Sequence, residues 1–158
     1  MSRLFKFASA LLAAAILVAG AAQAQVSRLN PSYGTANLSA GFPNDPRTRN
    51  VVAGGNIRLP PVGDCPGGGY VARAPDYRVN YTAGNWPLIF YARSRGDTIL
   101  LVNDPAGRWY CNDDFQGLDP AIEFVNPRSG RYDIWVGTYG SNRVRAMLYI
   151  TSTRPFFR

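Results

Sequence analysis

Histidine is absent from the 158-residue sequence, and lysine is reduced to a single residue, Lys6. Without imidazole there is no Ser-His-Asp or Cys-His relay to activate a nucleophile, and zinc loses its commonest nitrogen ligand. With no lysine beyond Lys6, a Walker-type phosphate loop and Schiff-base chemistry are excluded from the rest of the chain. Cysteine is limited to Cys65 and Cys111, and no apolar run beyond the N terminus is long enough to span a bilayer. These absences argue against most enzymes, and the reading taken is of a non-catalytic protein.

What is present begins with a targeting pattern. Arg3 and Lys6 precede an apolar run from Ala8 to Ala22, and Ala22-Gln23-Ala24 is a small-x-small cleavage site. Residues 1–24 are therefore expected to be a cleaved Sec signal, with the mature chain starting at Gln25 in the periplasm or outside the cell. The run is shorter than a spanning helix, it lacks the twin arginine of a Tat signal, and no lipoprotein cysteine follows it. In an oxidising compartment Cys65 and Cys111 are expected to form one disulfide. Two free buried thiols are the alternative, and a metal pair is weaker because two thiolates leave the site incomplete.

No long stretch of the mature chain repeats its apolar residues at helical spacing. Short alternating runs separated by Gly, Pro, Asn and Asp predict an all-β domain. Strands are expected at 35–39, 56–59, 70–72, 77–81, 88–93, 98–103, 109–112, 121–124, 130–137 and 144–151. That many strands exceed what one open sheet holds easily, so a β-sandwich or jelly roll of two antiparallel sheets is expected over residues 33–152. Residues 25–32 and 153–158 read as tails, the second ending in Phe156-Phe157-Arg158. Asp104-Pro105-Ala106-Gly107 fits a type I turn closing a hairpin, and Asn126-Pro127-Arg128-Ser129-Gly130 is a second turn. Gly67-Gly68-Gly69 reads as a flexible stretch beside the disulfide. Tyr132, Ile134 and Val136 should face the core, with Asp133 on the other side in an ion pair with an arginine.

The charge is unevenly placed. The whole sequence carries 17 Lys+Arg and 10 Asp+Glu, net +7. Removing the signal takes Arg3 and Lys6, leaving fifteen arginines against ten acids, or +5. From Asp97 to Asp133 there are seven acids and three arginines, or −4; the remainder holds twelve arginines and three acids, or +9. Codon usage and solubility account for scattered arginine; the sharper reading is an anionic partner such as a polysaccharide, a cell-envelope lipopolysaccharide phosphate or a membrane surface. Export and the lack of a recognition motif argue against nucleic acid.

The acidic loop is the candidate site. Asn112, Asp113, Asp114 and Asp119 lie in one segment, with Asp104 expected across the hairpin. Carboxylates crowded without cations repel, and calcium, which takes six to eight oxygens, would relieve the repulsion. A polar turn that favours Asn and Asp is the plain alternative, and a carboxylate-pair hydrolase around Asp113 and Asp119 a third. The aromatic residues Trp86, Trp109, Tyr110 and Trp135 could form a contact face for a saccharide or protein, or simply pack the core. Self-assembly through an exposed edge strand or the Phe156-Phe157 tail is a further possibility for a homo-oligomer.

One resemblance runs through this loop. Gly96-Asp97-Thr98 and Asn103-Asp104-Pro105-Ala106-Gly107, then Asn112-Asp113-Asp114, then Ser129-Gly130-Arg131-Tyr132 and Val136-Gly137-Thr138-Tyr139 follow one another in order. Together they resemble the bacterial pre-peptidase C-terminal domain over about residues 88–150. The stretch from Cys65 through Ala74-Pro75-Asp76-Tyr77 to Gly84 is similar to stand-alone exported versions of that domain. The resemblance implies a non-catalytic jelly-roll sandwich, often found beside secreted peptidases, some of which bind calcium through acidic loops. It carries calcium onto Asn112, Asp113 and Asp114, and onto Asp104 and Asp119. It carries no peptidase activity, because this chain has no peptidase domain and no histidine.

Overall fold

The alternating runs fold as strands. A computed structural model of the protein describes residues 25–140 and 142–154. Its strands are β1 (Thr35–Ser39), β2 (Arg47–Ala53), β3 (Ile57–Arg58), β4 (Tyr70–Val71), β5 (Tyr77–Thr82) and β6 (Leu88–Ser94). They continue as β7 (Thr98–Asn103), β8 (Trp109–Asn112), β9 (Ala121–Phe124), β10 (Gly130–Thr138) and β11 (Val144–Thr151). No helix occurs among the described residues, and so none there is long and apolar enough to cross a membrane. The signal segment and Phe156-Phe157 lie outside the described residues.

Two sheets pack face to face. One runs in the order β2-β11-β6-β9. The other has seven strands centred on β10, which pairs with β7 along one edge and with β5 and then β4 along the other. Strand β8 extends the β7 side, β1 extends β5, and β3 extends β4. The pairing departs from the antiparallel expectation at one place: β1 runs parallel to β5. Ala92, Phe90 and Leu88 of β6, Leu148 and Ile150 of β11, and Tyr132, Ile134 and Val136 of β10 fill the space between the sheets, as period-two alternation requires.

Strand β10 is buried on both faces. Behind it lies a second, smaller core of Ile57, Leu59, Val71, Ile99, Leu101 and Trp135, closed by the Cys65–Cys111 disulfide. The expected bond is present, with its Cα atoms 5.6 Å apart. Of the three glycines expected as a flexible stretch, Gly69 is closely packed. A Cβ on Gly69 would lie 1.8 Å from Ile99 Cδ1, so the absence of a side chain there is a packing requirement.

Strand β2 has no counterpart among the expected strands. Arg47, Thr48, Arg49 and Asn50 are all exposed, and only Val51 and Ala53 reach the core. An edge strand needs so few inward residues that alternation is lost in the sequence. Residues 25–32, expected as a tail, are tied down. Val26 N–H donates to Arg73 C=O, Ser32 N–H to Pro75 C=O, and Arg78 donates to the carbonyls of Ser27 and Leu29.

Candidate functional site

The β7–β8 hairpin decides what the acidic residues can do together. Gly107 N–H donates to Asp104 C=O at 2.9 Å, the turn bond expected, and Gly107 takes a φ of +77° that suits glycine. Asp104 Oδ1 accepts from Ala106 N–H and Arg108 N–H at 2.9 Å each. Its Oδ2 accepts from Arg108 Nε at 2.9 Å and Nη2 at 2.7 Å. Burial would raise this carboxyl, but the backbone and guanidinium bonds from Arg108 outweigh it and hold Asp104 below the usual carboxylate range.

The ladder places Asp104 away from the loop it was expected to join. Leu100 faces Asn112 and Asn103 faces Trp109, so Asp104 sits at the turn while Asp113 and Asp114 continue from the opposite end. The four residue steps from Leu100 to Asp104 span about 13 Å. The proposed ligand set is divided further. Asn112 Oδ1 accepts from Ala121 N–H at 3.0 Å, fixing the start of β9. Asp119 Oδ1 accepts from Ser94 N–H at 3.3 Å, and its Oδ2 lies 3.8 Å from Arg93. Asp104, Asn112 and Asp119 thus hold the fold with their own oxygens, and the five residues do not form one cation cage. Among the described residues, no group of three or more Asp, Glu, Cys or His is placed as metal ligands would be.

Asp113 and Asp114 have a different acidic neighbour, Asp97, which is not among the expected ligands. Burial raises the Asp97 carboxyl, and the like charges of Asp114 and Asp113 raise it further. Asp97 Oδ1 is buried without a hydrogen-bond partner. The acidic end of the sandwich is therefore Asp97, Asp113 and Asp114, where the β6–β7 connection meets the loop after β8.

The anticipated ion pair at Asp133 is present. Arg78 Nε lies 2.6 Å from Oδ1 and Arg131 Nε 3.0 Å from Oδ2, on the face of β10 turned away from the main core. Burial nevertheless pushes this carboxyl up, against the pull of Arg78. The second expected turn is held by Tyr132, whose hydroxyl donates to Arg128 C=O at 2.9 Å and accepts Arg128 N–H at 3.0 Å. Of the four aromatic residues considered as a contact face, Trp86 stands in solvent at 54% exposure, whereas Trp135 is fully buried. Trp109 packs on Trp135 at 5.1 Å, and Tyr110 packs on Phe124 at 4.9 Å.

A cleft outside the acidic segment is the other candidate. It measures about 550 Å³ and lies between β1 and β2, each an edge strand paired on one side only. Arg47 and Arg49 line it from β2, and Tyr77 of β5 lines it as well. The Arg49 guanidinium sits over the Tyr77 ring, 5.2 Å from its centre. No carboxylate lines this cleft among the described residues. Strand β2 was not legible in the sequence, so neither was the cleft; the excess of arginine outside residues 97–133 was its one trace.

No family model matches the chain, and no curated protein does. Among solved structures it is similar to PliG of Aeromonas hydrophila, a periplasmic lysozyme inhibitor of g-type lysozyme. The identity is 15% and the TM-score 0.38, with 75% of this chain and 96% of that one covered. A likeness of this size carries no functional argument, so the site is judged on its own residues.

The Asp104 turn gives a direct test. Asp104→Ala leaves two backbone N–H groups and a guanidinium without their acceptor, and should cost about 2 kcal/mol in urea unfolding. Arg108→Ala removes only the exposed half of that arrangement and should cost clearly less. Equal costs for the two would show that the ion pair, not the turn, is what Asp104 supplies.

Proposed function

We propose that this is an exported, non-catalytic binding module whose contact surface is the cationic open side between β1 and β2. The observation that carries the reading is the cleft itself: two arginines, one held on a tyrosine ring, face it with no acid among its lining residues. A guanidinium seated on an aromatic ring is pre-oriented, so less freedom is lost when an anion binds. The disulfide supports an oxidising compartment. The resemblance to the pre-peptidase C-terminal domain belongs to the same proposal. Acidic polysaccharides, cell-envelope phosphates and the carboxylates of acidic proteins offer anionic groups that this surface would accept. Polyglutamate titrated calorimetrically into the protein should bind, weaken as salt rises, and lose about tenfold in affinity in the Arg47→Ala/Arg49→Ala double variant. Equal binding by the double variant would place the contact elsewhere.

Calcium is a second reading, now centred on Asp97, Asp113 and Asp114. Burial and then the like charges of Asp114 and Asp113 raise Asp97, which supports it; the three carboxylates are not gathered at ligand distance, so binding would have to draw the two loops together around the ion. Calcium added to chelator-treated protein should then raise the melting temperature by a few degrees, and Asp97→Asn should abolish the rise. Superimposable melts with and without calcium dispose of this reading and leave the loop as a polar turn.

A further inference from the structure

The open side has a feature that an anion site alone does not need. Strand β2 pairs with β11 along one edge only, from Arg47↔Ile150 to Ala53↔Val144. The Val52 N–H points away from β11 and is taken by the Tyr33 hydroxyl at 3.0 Å. In an antiparallel ladder such outward groups recur at every second residue. Thr48 and Asn50 therefore turn their N–H and C=O groups to the same free edge as Val52. Tyr33 blocks the edge at Val52, and among the described residues nothing pairs with the stretch from Arg47 to Val51 along that edge.

The side chains of this stretch divide in register with the backbone. Val51 and Ala53 point into the core, so Arg49 and Arg47 continue the inner row, and Arg49 reaches across to the Tyr77 ring on the other sheet. A strand added beside β2 would place its own inner row next to these two arginines, two residues apart. Carboxylates at alternate positions would meet them. A second copy's β2 does not fit as the added strand. Pairing β2 with itself would bring Arg47 and Arg49 against their own kind, which is how edge strands resist self-association.

We propose that the open side captures an extended segment of another protein by strand addition to β2, with Asp or Glu at alternate positions of that segment facing Arg47 and Arg49. The inference rests on the cationic contact surface proposed above and names its partner class. Main-chain bonds to Thr48 and Asn50 would give affinity, and the arginine pair would set the sequence preference.

A short labelled peptide alternating Asp with Val tests it, compared with the same peptide carrying Pro in place of the Val residues. Binding is read by fluorescence anisotropy, and amide hydrogen exchange is followed at Thr48 and Asn50. The Asp-Val peptide should bind and slow exchange at both amides by about tenfold or more, and the Pro peptide should bind about tenfold more weakly. Arg47→Glu/Arg49→Glu should lose about tenfold in peptide affinity; the milder Arg47→Gln/Arg49→Gln pair serves if the charge reversal disturbs folding. If both peptides bind alike and neither protects the amides, strand addition falls while the anionic contact surface stands. If neither peptide binds and polyglutamate also fails, both proposals fall together.

Discussion

Replacing Cys65 and Cys111 with alanine together is expected to lower stability by about 4 kcal/mol, and to do so from one side of the molecule. The bond closes a loop with a sequence separation of 46 residues, and the chain-entropy model assigns a loop of that size a cost near this value. The location sharpens the expectation. The layer it secures contains only the two-residue strands β3 and β4, too short to hold themselves in place. Ile57, Leu59 and Val71 in that layer cover Trp135, which is fully buried, and the two sulfurs belong to the same cluster. Loss of the bond should therefore loosen the second core before the sandwich between the sheets melts. Fluorescence in a Trp86→Phe background would show it as a red shift of tryptophan emission ahead of the main unfolding transition. A single transition at the wild-type denaturant midpoint would show that the disulfide only decorates a layer that packs without it.

This second core also marks where sequence reading ends. Alternation located β1, β7, β8, β9 and β11 residue for residue, because each has a run of inward side chains whose period is visible along the chain. The direction in which Tyr132, Ile134 and Val136 face followed from the same rule. What covers Trp135 on the opposite face did not, because it comes from residues 57–72 folding back across the sheet. Strand β2 escaped for the converse reason: its polar residues obey the geometry of an edge, where one neighbour is missing and little need be apolar.

The acidic site shows a related limit. Nearness in sequence brought Asp104 and Asn112–Asp114 together on paper, whereas the hairpin register puts them at opposite ends. Asp97 entered the reading as a charge and as part of a strand motif, yet it is the residue that Asp113 and Asp114 crowd. The Cys65–Cys111 bond was legible because pairing two cysteines needs no register at all. The cleft follows the same division: the surplus of arginine was countable, while the placement of Arg47 and Arg49 on the open edge of β2 is a tertiary fact.

Asp76 carries the clearest pH dependence in the molecule, and Asp76→Asn should remove it. The β10 edge passes from β5 at Ile134 to β4 at Thr138, and between them no strand residue reaches Val136 N–H. The Asp76 carboxylate fills that gap, accepting from Val136 N–H at 2.7 Å, while Asp76 N–H donates to Ile134 C=O at 2.8 Å. With the residue 2% exposed, burial pushes its pKa up to about 7 from an ordinary 3.8, against the pull of the Val136 bond and of Arg143. The sign follows from proton counting. Between pH 3.8 and about 7 the folded chain keeps a proton that the unfolded chain releases, so stability falls as pH rises through this window and levels off above it. A displacement of this size corresponds to about 4 kcal/mol between the two ends. Carboxyls held low, such as Asp104, contribute with the opposite sign, so the quantity to measure is the difference between wild type and variant. Asparagine keeps an acceptor for Val136 without the charge. Asp76→Asn should match wild type near pH 4 and exceed it by about 2–4 kcal/mol at pH 8 in urea unfolding. Asp76→Ala, which leaves Val136 N–H orphaned, should be destabilised at pH 4 by about 1–3 kcal/mol. Parallel stability curves for wild type and Asp76→Asn across this range would mean that Asp76 titrates as an ordinary carboxyl, and that its place in the ladder is held without cost.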